Sequence, residues 1–151
     1  WTLRYAGVSL NHQSNGQAEP LSRSWNRVIL LAGMDNGAST EINVRFWQRM
    51  PESINNDDNP DIADYIGRAE LSSLWSINER HSLGLTVRHN LRQSGRGAGT
   101  LDWMIKPRTT LNNPNAGLRY HVQLFSGYGD SLASYNFRRS SVRVGVSLVD
   151  W

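Results

Sequence analysis

Apolar and polar residues alternate with a period of two over most of the chain, the pattern of strands that bury or wet one face only. Residues 83–91 place Leu83, Leu85, Val87 and Leu91 on one face, with His89 among them, and Thr86 and Arg88 on the other. Residues 142–148 set Val142, Val144, Val146 and Leu148 against Arg143, Gly145 and Ser147. The same alternation recurs at 42–46, 101–105 and 118–124. Residues 2–14 read as one strand whose even positions from Ala6 to Ser14 share a face. After a polar loop at 15–22, the next strand puts Asn26, Val28, Leu30 and Ala32 on its apolar face. Turn signals separate the runs: DNG at 35–37, SGRGAG at 94–99, NNPNAG at 112–117 and GYGDS at 127–131. The count comes to about eight strands and an all-β chain.

Some of these runs approach ten residues, the length a tilted strand needs to cross a bilayer. Alternation alone also suits a soluble sandwich. Two features favour an antiparallel transmembrane β-barrel. The polar faces are often charged, as a wet lumen tolerates, and aromatics (Trp75, Trp103, Tyr120, Tyr128) fall near strand ends, where interfacial girdles belong. The closing residue, Trp151 after VRVGVSLVD, resembles the terminal aromatic of bacterial outer-membrane strands. The expected organisation is a single β-barrel domain over residues 1–151.

Composition narrows the function classes. Mean hydropathy is −0.52, and no run of eighteen apolar residues offers a transmembrane helix. The formal charge is +3, with the 16 Lys and Arg spread along the chain and no basic cluster interleaved with aromatics, which argues against nucleic-acid binding. There is no cysteine, hence no disulfide framework and no thiolate metal site. The first residues, WTLRYAGVSL, read as strand rather than leader and lack an initiator Met. The expectation is a mature product or a piece of a longer chain.

Candidate chemistry sits in SLNHQSNGQAEPLSRSWNRVILL, residues 9–31. His12, Ser14 and Asn26 converge at the edge of one apolar face. A serine hydroxyl needs a neighbouring imidazole to take its proton. The imidazole needs a third group to fix its tautomer, and an Asn oxygen can do so without the desolvation cost of a carboxylate. Gly16 allows a tight turn with an exposed amide for a developing oxyanion. The bland alternatives are a chance H-x-S, a turn-capping Asn and a turn glycine. His81, His89 and His121 have no such company and read as face or lumen residues. The longest irregular stretch, MPESINNDDNPDIAD at 50–64, reads as an extracellular loop whose carboxylates suit a hard cation.

The frame NHQSNGQAEPLSRSWNR (11–27) resembles the active-site segment of the outer membrane phospholipase A family. DDNPDIADYIGR (57–68), FSGYGDSLASYNF (125–137) and the terminal VRVGVSLVDW are similar to it as well, so the likeness runs over nearly the whole chain. The resemblance implies a twelve-stranded barrel in the outer membrane of a Gram-negative bacterium. It implies a calcium-dependent lipase, active as a homodimer on phospholipids and lysophospholipids, with its triad on the outer wall at the outer-leaflet headgroups. Carried over by position, Ser14 would be nucleophile, His12 general base, Asn26 orienter and Gly16 an oxyanion-hole amide. Calcium would lie around Gln17 and Ser22, with Asp58 lending a carboxylate. The family has Arg where this chain has Gln17. With about eight strands rather than twelve, the natural protein is expected to be longer at its N-terminal side, by a leader and roughly four strands. Two competing classes are a non-catalytic outer-membrane barrel (a small pore or structural protein) and a soluble β-rich esterase.

Overall fold

The computed structural model describes residues 1–53, 57–107 and 118–147. Eight antiparallel strands form one sheet in sequence order. They are β1 (Thr2–Ser14), β2 (Ser24–Asp35), β3 (Thr40–Met50), β4 (Ala69–Ser76), β5 (His81–His89), β6 (Gly97–Ile105), β7 (Arg119–Gly127) and β8 (Arg139–Ser147). Each pairs with the next, and β1 and β8 are not paired with each other. A short helix, α1 (Ile62–Ile66), lies between β3 and β4. Two connections at one end, the turn end, are tight (36–39 and 77–80), and the third, 106–118, is longer; at the other, the loop end, lie 15–23, 51–68, 90–96 and 128–138. Short turns on one side and long loops on the other are the asymmetry of outer-membrane barrels.

The outer face is an apolar belt. The register carries it across the sheet through Ala32, Val44, Leu71 and Val87, and through Trp75, Leu83, Trp103, Val122 and Val144. Leu10, Leu71 and Val144 are 77%, 50% and 79% exposed. In water so wide an apolar surface would be an aggregation hazard; hydrocarbon tails remove the penalty. None of the helices among the described residues is long and apolar enough to cross a membrane.

The inner face is polar toward the turn end and plugged toward the loop end. Glu70 pairs with Arg45, Tyr5 donates to Asn43 Oδ1 at 2.6 Å, and His121 Nε2 lies 2.8 Å from Asp102. Near the loop end, Trp25, Ile29 and Trp47 pack with Ile62, Ala63 and Ile66 of α1 and with Tyr135. The Arg27 guanidinium lies 4.0 Å from the Trp25 ring centroid and 5.5 Å from that of Trp47.

Four expectations need correction. SGRGAG is not wholly a turn: β6 begins at Gly97, where a Cβ would lie 1.9 Å from the Arg88 carbonyl oxygen, so close strand approach demands glycine. Tyr128 is no girdle residue; it follows β7 at the loop end and packs edge-on against Tyr65 at 5.3 Å. The 50–64 stretch is not wholly irregular, because Ile62–Ile66 form α1 with Ile62 fully buried. Leu91 lies beyond the end of β5 with φ +56° rather than on its face. The NNPNAG turn, Leu148 and Trp151 lie outside the described residues.

Candidate active site

β1 and β2 run past the apolar belt at the loop end. Leu10 opposes Val28, then His12 opposes Asn26, then Ser14 opposes Ser24. The two-residue period therefore lifts His12, Ser14 and Asn26 out along one face, from the edge of the belt toward the loops. Asn11, Gln13 and Arg27, their chain neighbours, turn inward. There Arg27 Nη2 donates to Asn11 Oδ1 at 2.6 Å and to Gln13 Oε1 at 3.2 Å.

His12 Nδ1 lies 2.8 Å from Asn26 Oδ1. An amide oxygen only accepts, so Nδ1 carries the proton and Nε2 holds the free lone pair. Among the described residues no hydrogen bond occupies Nε2. Asn26 Nδ2 in turn donates to Glu52 Oε1 at 3.1 Å. Ser14 lies two residues beyond His12 on the same face, exposed, and its Oγ accepts the Gly16 amide at 3.0 Å. Gly16 has φ +68°, the left-handed region that lets its N–H fold back on the serine. His12 with Asn26, and Ser14 with the Gly16 amide, thus form two hydrogen-bonded pairs on one face at the loop end.

The loop 15–23 owes its shape to Asn15. Its Oδ1 accepts from Gln17 N at 3.2 Å and Arg23 N at 3.0 Å, and its Nδ2 donates to the Leu21 carbonyl at 2.7 Å. The loop following β3 is clamped against the start of β2. Ser22 Oγ donates to Asp58 Oδ2 at 2.5 Å, Ser24 N donates to Asn59 Oδ1 at 2.9 Å, and Arg49 holds Asp57 in a fork at 2.8 and 2.5 Å. The Arg49 hydrogen bonds hold the Asp57 carboxyl below the usual carboxylate range. Tyr135 donates to Asp61 from below; burial first, and then that bond, raise its phenol above the ordinary value.

Of the expected cation ligands, Ser22 and Asp58 meet. They line a cavity of about 240 Å³ with Glu19, Asp57 and Arg23. The Arg23 guanidinium is turned onto the Pro20 and Ser22 carbonyls. Hydroxyl and carboxylate oxygens are the donors a hard cation takes, so the residues present fit such an ion. Among the described residues no three His, Cys, Asp or Glu side chains close on one point, so serine, main-chain oxygens, water or a neighbouring molecule must complete the shell. Gln17 is exposed, and no hydrogen bond joins its side chain to Ser22 or Asp58 among the described residues. Sequence reasoning missed Glu19, Glu52, Asn15 and Asn59. The Asn-rich loops hint at turn chemistry for Asn15 and Asn59, but nothing local marks either glutamate.

Similar proteins identify the family of the chain. The family model described as Phospholipase A1 matches residues 1–148. A relative from Neisseria meningitidis serogroup B is 37% identical, over 98% of this chain and 37% of its own length. Phospholipase A1 of Escherichia coli K12 is 36% identical, over 99% of this chain and 47% of its own. The crystal structure of the Salmonella typhi outer membrane phospholipase dimer with bound calcium superposes with a TM-score of 0.85 at 35% identity, covering 99% of this chain and 54% of that one. The chain spans less than half the length of the two sequence relatives. Matched from its first strand to its last, with a hydroxyl, an imidazole and an amide on the outer wall of an antiparallel sheet, the chain belongs to the phospholipase A1 family.

Proposed function

We propose that this protein is a calcium-dependent outer-membrane phospholipase that cleaves acyl esters of phospholipids and lysophospholipids at either glycerol position. Ser14, His12 and Asn26 form its triad. The observation that carries the proposal is the 2.8 Å contact of His12 Nδ1 with Asn26 Oδ1 at the rim of a lipid-facing wall, with Ser14 beside it. An apolar belt below the triad brings an acyl chain alongside, and the polar rim meets the headgroup region where the ester lies.

In the first half-reaction, Ser14 Oγ attacks the ester carbonyl carbon while His12 Nε2 takes the hydroxyl proton. Asn26 keeps the other ring nitrogen protonated and the ring in plane. The tetrahedral oxyanion forms on a carbon bonded to Ser14 Oγ, within reach of the Gly16 amide that now rests on that oxygen at 3.0 Å. As the intermediate collapses, His12 returns the proton to the leaving lysophospholipid oxygen. Water then attacks the acyl-serine while His12 accepts a proton; the Ser14 Oγ–acyl bond breaks, His12 returns the proton to Ser14 Oγ, and the fatty acid leaves. Calcium held at Ser22, Asp58 and oxygens of the Gln17 turn would supply positive charge near the oxyanion. The Salmonella typhi relative is a dimer with bound calcium, which supports a cation and a dimeric assembly here; dimerisation as the switch that completes the calcium shell is part of the proposal.

The test is fatty-acid release from phospholipid in mixed micelles by the folded protein, with calcium, with chelator, and with Ser14→Ala. Release should require calcium and fall by at least about a thousandfold in Ser14→Ala. A folded barrel that stays silent with calcium would overturn the enzyme and leave a non-catalytic outer-membrane barrel.

A further inference from the structure

A side-chain amide can be turned over. One orientation of Asn26 puts Oδ1 on His12 Nδ1; the other puts Nδ2 there. The first demands a proton on Nδ1 and leaves Nε2 bare. The second demands a bare Nδ1, puts the proton on Nε2, and leaves the ring unable to accept one from Ser14. His12 does not decide between them, because the neutral imidazole accommodates either. The decision falls on the far side of Asn26, where Nδ2 lies 3.1 Å from Glu52 Oε1. An ionised carboxylate has no hydrogen to donate. Turning the amide over would therefore set its oxygen against a charged oxygen.

We infer that Glu52 is a positioning residue that fixes the Asn26 amide and, through it, the working tautomer of His12. The inference rests on the triad proposed above and extends it by a fourth member. Glu52 also supplies what Asn26 lacks. A neutral orienter does little for the imidazolium formed during catalysis, whereas the Glu52–Asn26–His12 chain of hydrogen bonds points a negative charge toward it and polarises along its length.

The chain around Glu52 is built to hold it there. Met50, the last residue of β3, is the register partner of Asn26, so Glu52 follows two residues beyond the strand that flanks the amide. Glu52 is half-buried, and the loop it starts is tied down farther along by the Arg49–Asp57 fork and by Asn59 on the Ser24 amide. Residues 22, 24 and 26 thus each hold a residue of this one loop: Asp58, Asn59 and Glu52.

The experiment uses the whole protein in detergent micelles, assayed on phospholipid with saturating calcium. Glu52→Ala should lower kcat about tenfold and leave KM within about twofold, the cost of losing a charge-assisted hydrogen bond. Glu52→Gln keeps an acceptor oxygen but also offers an N–H that a turned-over Asn26 could accept, and it carries no charge, so it should lower kcat about as far as Glu52→Ala; wild-type kcat in Glu52→Gln would overturn the role of the carboxylate. In an Asn26→Ala background, Glu52→Ala should cost less than about twofold more, since its effect passes through the amide. The ring nitrogen spectrum of His12 gives a readout apart from activity: the Nδ1–H tautomer in wild type, and a mixture in Glu52→Ala. Equal kcat in Glu52→Ala and wild type, or a full tenfold loss persisting without Asn26, overturns the role of Glu52 while calcium-dependent release by wild type leaves the triad standing. A kcat loss matched by a fall in folded fraction, with the His12 tautomer unchanged, also overturns it. Absent release by the folded wild type removes the underlying triad instead.

Discussion

His12 and His121 each hold a side-chain oxygen at 2.8 Å, yet the two pairs stand on opposite faces of the sheet. His121 points inward. Its partner Asp102 also accepts from Gln123 Nε2 at 2.7 Å, and Gln123 Oε1 takes a further bond from Arg143 at 2.8 Å. Asp102 and Gln123 are each shared between two partners, and the network knits β6, β7 and β8 together. His12 points outward, above Leu10 and Val28, with Asn26 on one nitrogen and nothing among the described residues on the other. A polar lumen forgives an imidazole. The edge of a lipid face does not, because each unpaired polar group there is costly. On the function proposed above, the same residue type is structural on one face and chemical on the other, and the face, not the histidine, carries the information.

The sharpest way to break that comparison is to truncate both. His12→Ala should reduce fatty-acid release by at least about a thousandfold, the loss of the base proposed for Ser14. His121→Ala should leave kcat within about twofold and lower resistance to unfolding by about 1–3 kcal/mol, because Asp102 keeps only Gln123. Kinetics and thermal unfolding on the same preparations check both. Comparable losses of activity would mean that the outer face does not mark the chemistry.

Much of this was legible in the chain because period two survives translation into structure. The strand expected at 2–14 is β1, from Thr2 to Ser14, and the face shared by His12, Ser14 and Asn26 follows from register alone. What could not be read is whatever tertiary contact decides. Gly97 looks like a loop glycine until Arg88 of the adjacent strand is placed against it. Tyr128 looks interfacial until Tyr65, brought under it by α1, claims its ring. Ile62, Ala63 and Ile66 carried a helical spacing, but a stretch so rich in Asn and Asp hid it. Glu52 had no local signal, since its meaning is conferred by Asn26, 26 residues away.

The loop that follows β3 offers a second, smaller contrast between adjacent aspartates. Asp57 is consumed by Arg49, with 11% of each side chain exposed. Asp58 has only a serine hydroxyl, which a cation displaces without leaving a charge unpaired. Asp58→Ala should therefore raise the calcium concentration for half-maximal activity by about tenfold, with the rate at saturating calcium within about threefold of wild type. A calcium titration of hydrolysis reads both. An unchanged midpoint would move the cation away from Ser22 and Asp58.

The smallest effect is expected at Gln17, and it sharpens the division between main chain and side chain in the same turn. The resemblance read from the sequence implies Arg at this position. Here the Gln17 side chain is exposed, while its backbone amide is fixed by Asn15 Oδ1 at 3.2 Å and the loop closes through Asn15 and Arg23. Asn15 thus holds the Gln17 amide and the closure of the loop, whatever side chain residue 17 bears. A calcium ligand supplied by the Gln17 carbonyl tolerates glutamine, arginine or alanine alike. Gln17→Arg and Gln17→Ala should both leave the calcium midpoint within about twofold, whereas Asn15→Ala, which releases the turn, should raise it more than either. A tenfold shift in Gln17→Ala would make the side chain a ligand. The departure from the family at this position would then be a change in how the cation is held, and the turn would no longer account for it.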